Sequence, residues 1–160
     1  MIHKQIEKLQ KLLDEIEGTF PYKNLKNPEV SKSTIGWQLD HSLKVFNAVC
    51  KVLAASNPED YKPNFNLTRW FIFLIGAFPR GKVKAPKQVV STSSNISVNI
   101  LRSQLEDAHT GLKIISTLDK HAFFKHHIFG NLSKKKTFRF LEIHTEHHLK
   151  IVREILAYSK

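Results

Sequence analysis

The chain has 160 residues, 41% of them hydrophobic and 24% charged. That composition is ordinary for a globular domain and excludes a disordered or low-complexity chain, so 1–160 reads as one domain able to bury a core without disulfide or metal staples. Cys50 is the single cysteine, which excludes an intramolecular disulfide and suits a reducing cytoplasm, while 25 Lys and Arg against 14 Asp and Glu give a formal charge of +11. The lysines are dispersed with few aromatic residues between them, so they read as a solvated surface and nucleic acid is not an expected partner.

Ile2, Ile6, Leu9, Leu13 and Ile16 recur at helical spacing and predict an amphipathic helix from about Ile2 to Glu17. The same stretch lacks the continuous apolar run of a signal peptide. Gly18 and Pro21 end it, and a polar loop leads to an N-cap at Ser33 or Thr34. The second helix runs to about Ser56 and carries Trp37, His41, Val45, Ala48, Val49 and Val52. The face of His41, Val45, Ala48 and Val52 is expected to meet the core. Leu67 to Phe78 suggests a short helix; its most apolar part, from Trp70, falls well short of the ~20 residues needed to cross a bilayer. It reads as a core element, with a homodimer interface as the alternative. "FPRGKVKAPKQVVSTSSN" follows as a long loop of the kind that is often functional. Its Lys82, Lys84 and Lys87 read as solvated, or as a means of steering an anionic thiol or substrate.

A third long helix is predicted from about Ser97 to Leu118, with Ile100, Leu101, Leu105, Ala108, Leu112 and Ile115 inside. "DKHAFFKHHIFGNLS" reads as a connection, and Ser133 as the cap of a fourth helix from about Lys134 to Ala157. With no convincing strand pairs, the expected class is all-α, a four-helix bundle.

The fourth helix places histidines within its apolar stripe. Leu141, His144, His148, Ile151 and Ile155 advance by three or four residues, so the two imidazoles share a face and can grip one cation. His147 lies about 60° round the helix from His144; it is either an alternative partner or an edge residue. Glu146 points away from the His144/His148 face, which removes a metalloprotease reading. A metal needs at least one further ligand. His41 is the best of the nine histidines, because it lies in line with Val45, Ala48 and Val52. An imidazole buried among aliphatic side chains without a partner is costly, and a shared metal is an economical partner for all three.

"WQLDHSLKVF" (37–46), "PRGKVKAPK" (79–87), "HHIFGNLS" (126–133) and "IHTEHHLKIV" (143–152) occur in this order. Together they resemble the DinB/YfiT-like superfamily, most closely a branch with an H-P-x-F-G-x-L segment before a terminal H-x-x-H-H helix. The resemblance covers nearly the whole chain from Ser33 onward. It implies a four-helix bundle with a long crossover between the second and third helices. It also implies a divalent metal held by His41, His144 and His148, with His147 a neighbour. One departure is His127 where the family has proline, which removes a fixed φ from the loop and leaves open which of His126 and His127 faces the site. By motif position His126 is the candidate, as a substrate contact or a proton shuttle.

Three neutral imidazoles leave a divalent ion such as Zn, Ni, Fe or Mn with its full charge and open positions. Such an ion activates water or a thiol near neutral pH. The resemblance extends to transferases that use a low-molecular-weight thiol, which makes a small-molecule electrophile the expected substrate; a hydrolase using water is the other enzymatic form. The alternatives are a non-catalytic metal-binding bundle and a basic nucleic-acid-binding protein. Cys50 reads as structural. Asp40 reads as a surface charge rather than a group orienting His41, since neighbours on a helix diverge by about 100°.

Overall fold

The computed structural model describes residues 2–79 and 96–158, and within them the chain is mostly helical. The elements are α1 (Ile2–Gly18), α2 (Ile35–Ala54), α3 (Leu67–Ile75), α4 (Val98–Thr117), β1 (Phe123–His126), β2 (Gly130–Ser133) and α5 (Lys134–Ala157), with short 3-10 turns at Phe20–Tyr22 and Pro58–Asp60. The stretch 80–95, with Lys82, Lys84 and Lys87, lies outside the described residues. No helix among the described residues is long and apolar enough to cross a membrane.

Local chemistry sets the helix starts. The Thr34 hydroxyl accepts from the Trp37 N–H at 3.2 Å, Ser97 from Ile100 at 3.2 Å and the Asn66 side chain from Arg69 at 2.8 Å. Gly76, at φ 71°, closes α3 by returning its N–H to Ile72 O at 2.8 Å. Both α1 and α2 pack on α4 and α5. The core between them is built from Leu9, Leu13 and Ile16, Leu39, Leu43 and Phe46, Leu101 and Leu112, and Phe138 and Val152.

Five expectations are corrected here. The core face of α2 is that of Leu39, Leu43, Phe46, Cys50 and Leu53, whereas Val45 is half-buried, Ala48 exposed and Val52 49% exposed. This helix is apolar on both faces, so periodicity alone does not say which one meets the core. Ile100 is likewise exposed. In α3 only Arg69 and Ile72 are buried while Trp70 and Phe71 stay half-exposed, so it is not a core element: it lies against α5 by one face. Asp40 is buried, taking Lys44 Nζ at 2.6 Å and Gln104 Nε2 at 2.8 Å, and so ties α2 to α4. The fifth concerns 119–133, which is not a plain connection: β1 and β2 pair antiparallel, Phe123 with Ser133 through His126 with Gly130.

The hairpin is fixed at both ends. At its base, Lys134 N–H donates to Ala122 O at 2.7 Å, and the buried Lys134 ammonium bonds Ser116 O at 2.9 Å and Leu118 O at 2.5 Å, closing the carbonyl end of α4. Its tip rests on the entry to α3. The buried Arg69 guanidinium donates to Phe129 O at 2.8 Å and to Asn64 O, while Asn64 Oδ1 accepts from Asn131 N–H at 2.9 Å and Asn66 Nδ2 donates to Ile128 O at 2.8 Å. Gly130 has φ 70°, and a Cβ there would run into the Asn64 amide, so glycine is required twice over.

Candidate metal centre

His41 from α2 and His144 and His148 from α5 converge. One ring nitrogen from each lies within 4.8 Å of those of the other two, and the ring centroids are 4.7 to 5.4 Å apart. The i, i+4 spacing stacks the α5 pair, and the packing of α2 on α5 brings His41 against it. His41 is also stacked on Trp37, one turn earlier, at 5.1 Å and 13°.

The rings suit a metal chemically. His148 Nδ1 lies 2.7 Å from Gln38 Oε1, and Gln38 Nε2 donates to Ser31 Oγ at 3.2 Å, so the amide has its oxygen toward the ring. His148 therefore carries its proton on Nδ1 and keeps the Nε2 lone pair for a ligand bond, the arrangement by which a carbonyl oxygen behind an imidazole orients it for a metal. Burial, and then the neighbouring histidines, hold the His144 and His148 imidazoles well below their ordinary pKa. Both are neutral donors at pH 7. Metal–nitrogen bonds of about 2.1 Å keep two nitrogens on one ion within about 4.2 Å of each other, so closure from the observed spacing needs only small ring movements. Replacing Gln38 with leucine is expected to weaken metal affinity about 10- to 100-fold with the three ligands intact, measured by competition with a chromogenic chelator.

The neutral state has a stability consequence. In the unfolded chain both histidines titrate near 6.5, and in the fold well below it. Below pH 6.5 the unfolded state thus binds more protons than the fold, and stability falls as pH falls. Metal-free protein is expected to lose up to about 1.4 kcal/mol per pH unit for each of the two histidines below pH 6.5, with His126, pushed down to about 4, adding to the same slope, and these groups contribute no slope well above pH 6.5. Urea unfolding from pH 7.5 to 5 measures this, and the slope should lessen in His144→Phe.

The other predicted residues separate. His147 touches the edge of the site, 5.1 Å from His148 by ring centroid, but is not one of the three converging nitrogens. Glu146 is paired with Arg153 at 2.6 Å, outside the site, as helical phase indicates. Cys50 is buried against Gly111 of α4, with its thiol pushed up to about 12 by burial; it is no nucleophile at neutral pH. His126 and His127 both line the site cavity. His126 Nδ1 accepts from the N–H groups of Ile128 at 3.1 Å and Phe129 at 3.2 Å, and the ring stacks on Phe129 at 4.4 Å. Burial, with a smaller effect from His127, pushes its pKa down to about 4. A ring so occupied on Nδ1 carries its proton on Nε2 and takes up no second one near neutrality, which favours a contact over a proton shuttle.

The three histidines open into a cavity of about 530 Å³ bounded by α2, α3, the hairpin and α5. Sequence reasoning missed Gln38, Trp37 as a ring support, and Arg69, Asn64 and Asn66, which seat the hairpin wall. The capping order of Asn66 before "LTRW" is the one trace of them in the sequence.

No protein-family model, no curated protein and no solved structure matches the chain.

Proposed function

We propose that the chain is a metal-dependent enzyme of the DinB/YfiT-like superfamily, a four-helix bundle with its long crossover between α2 and α4. In this reading His41, His144 and His148 hold a divalent ion, and a low-molecular-weight thiol or a water attacks an electrophilic small molecule. The observation that carries it is the convergence of three buried or half-buried imidazoles from two helices at the head of a cavity. The order of the motif-bearing segments, with His41 on one long helix and the His144/His148 pair on the last, supports the superfamily assignment.

When bound, a divalent ion supplies Lewis acidity toward a thiol or water. The protein's own part is threefold. Gln38 fixes the His148 tautomer, Trp37 supports the His41 ring, and His126, with its proton on Nε2, offers a neutral donor along the cavity wall. The donor set is uncharged, so it leaves the ion's charge undiminished for an anionic nucleophile.

The test is metal content of the purified chain, then reconstitution with Zn, Ni, Fe(II) or Mn. Each form is screened with thiols against epoxides and aryl halides, and with esters and amides alone. Turnover that needs both the metal and the histidines is the expected result. Stoichiometric metal with no turnover would favour a non-catalytic metal-binding bundle, and absence of stoichiometric metal sinks the reading.

A further inference from the structure

The cavity beside the three histidines has a definite chemical character. From α2 it takes Val45, Ala48 and Val52, the residues that turn away from the core; from α3 comes Ile72; from the hairpin Phe124 and Ile128. Val52 is 49% exposed and Ala48 is exposed, yet this face of α2 remains apolar over two turns. Solvent alone gives no reason for that, whereas an apolar ligand does. Among the described lining residues there is no carboxylate, and Lys32, at the loop before α2, is the only side chain with a permanent charge. Away from the three histidines, a charged ligand body would be desolvated with almost nothing to pair it.

Size and polarity narrow the class further. A cavity of about 150 Å³ lined by aliphatic residues holds benzene. By that scale the 530 Å³ here takes a molecule on the order of 20 non-hydrogen atoms at most, within the usual range for small-molecule sites. The cavity also carries a fixed donor. His126 lines it, and because its Nδ1 is taken by the backbone N–H groups of Ile128 and Phe129, the nitrogen left for a ligand is the protonated Nε2.

We infer that the site takes an uncharged apolar molecule with a hydrogen-bond acceptor, its apolar body laid on the Val45–Ala48–Val52 face and its acceptor met by His126. This names the substrate class for the metal centre proposed above and rests on that reading for its link to a reaction. Binding itself does not depend on it.

The experiment uses the full chain, metal-loaded and metal-free, titrated by calorimetry and Trp fluorescence with 1-methoxynaphthalene. The controls are 1-ethylnaphthalene, of equal size but with no acceptor, and 1,5-naphthalenedisulfonate. Saturable one-to-one binding of the methoxy compound is expected, with Kd on the order of tens of micromolar. The ethyl compound should bind several-fold more weakly and the disulfonate at least tenfold more weakly. Ala48→Trp, which fills the cavity from an exposed position, and Val52→Glu, which puts a charge on its wall, should each weaken binding at least tenfold with metal content and melting temperature unchanged. If Ala48→Trp fails to fold, Val52→Glu carries the comparison.

No saturable binding, binding unaltered in the folded variants, or equal affinity for the methoxy and ethyl compounds overturns the inference. Metal retained with no naphthyl binding overturns it and spares the metal centre. Naphthyl binding with the expected variant pattern and no metal uptake sustains it and sinks the metal centre.

Discussion

On the proposed reading, His148→Ala, and equally His41→Ala or His144→Ala, is expected to lower metal affinity by at least 100-fold and to abolish the rise in melting temperature that a divalent ion should give the wild-type chain. Removing a group that merely orients a ligand costs 10- to 100-fold; removing one of three ligands costs more. Saturation at a hundredfold excess over Kd stabilises a folded protein by about 2.7 kcal/mol, which in a chain of this size raises the melting temperature by roughly 5 to 10 °C. Glu146→Ala should keep that rise, since Glu146 is engaged with Arg153 on the surface. Thermal scans with and without a chelator, alongside metal analysis, settle the matter. Three histidine variants that bind metal as the wild type does would exclude the triad.

Arg69→Met is expected to cost about 3 kcal/mol of stability. The methionine keeps most of the side-chain volume but abandons three backbone carbonyls, Phe129 O, Asn64 O and, at 3.5 Å, Asn131 O, and one contact to Asn64 Oδ1 at 3.3 Å. A buried acceptor left unsatisfied costs about 1–3 kcal/mol. Denaturant unfolding should show the loss, equivalent to a melting temperature lower by roughly 6 to 12 °C. The neighbouring Trp70, half-exposed, should tolerate alanine with a change under about 1 kcal/mol. A neutral Arg69→Met would mean that the guanidinium adds nothing to the Asn64 and Asn66 bonds that also seat the hairpin.

These two sites differ in how far the sequence displays them. The α5 pair is readable because helical phase is a local property: His144 and His148 share a face whatever the rest of the chain does, and Glu146 cannot join them. His41 is less so, since the Val45–Ala48–Val52 face that argues for it lines the cavity and not the core. The caps at Thr34 and Ser97 are equally local, and they place α2 and α4 to within a residue or two. The Arg69 clamp is different. It joins residues about sixty positions apart, and a lone arginine in "NLTRWFIF" gives no hint that its guanidinium is buried. The hairpin hid for a related reason. "FFKHHIFGNLS" has no Asn-Gly or Asp-Gly turn; its reversal depends on Gly130 at positive φ and on the His126 ring accepting the turn's N–H groups, neither of which a periodicity scan registers. Asp40 reads as a surface charge in the sequence because its partner Gln104 lies on another helix.

Ser133 shows the limit even of local reasoning. It occupies the N-cap of α5, but its hydroxyl makes no cap bond; Thr137 Oγ1 instead donates back to Leu132 O at 3.0 Å and to Ser133 O at 3.1 Å. Residue type located the helix start correctly while the bond it implied is absent.

The two apolar faces of α2 bear on how such a protein can diversify. Leu39, Leu43, Phe46 and Leu53 are buried in the core, where truncation costs about 2–5 kcal/mol. Val45, Ala48 and Val52 alternate with them along the same helix but face the cavity, and exchanging them costs the fold little. Changes that the fold resists and changes that only reshape the cavity wall therefore fall on interleaved but separate positions. One helix can keep its scaffold role unchanged while the surface beside the histidines is rewritten a residue at a time.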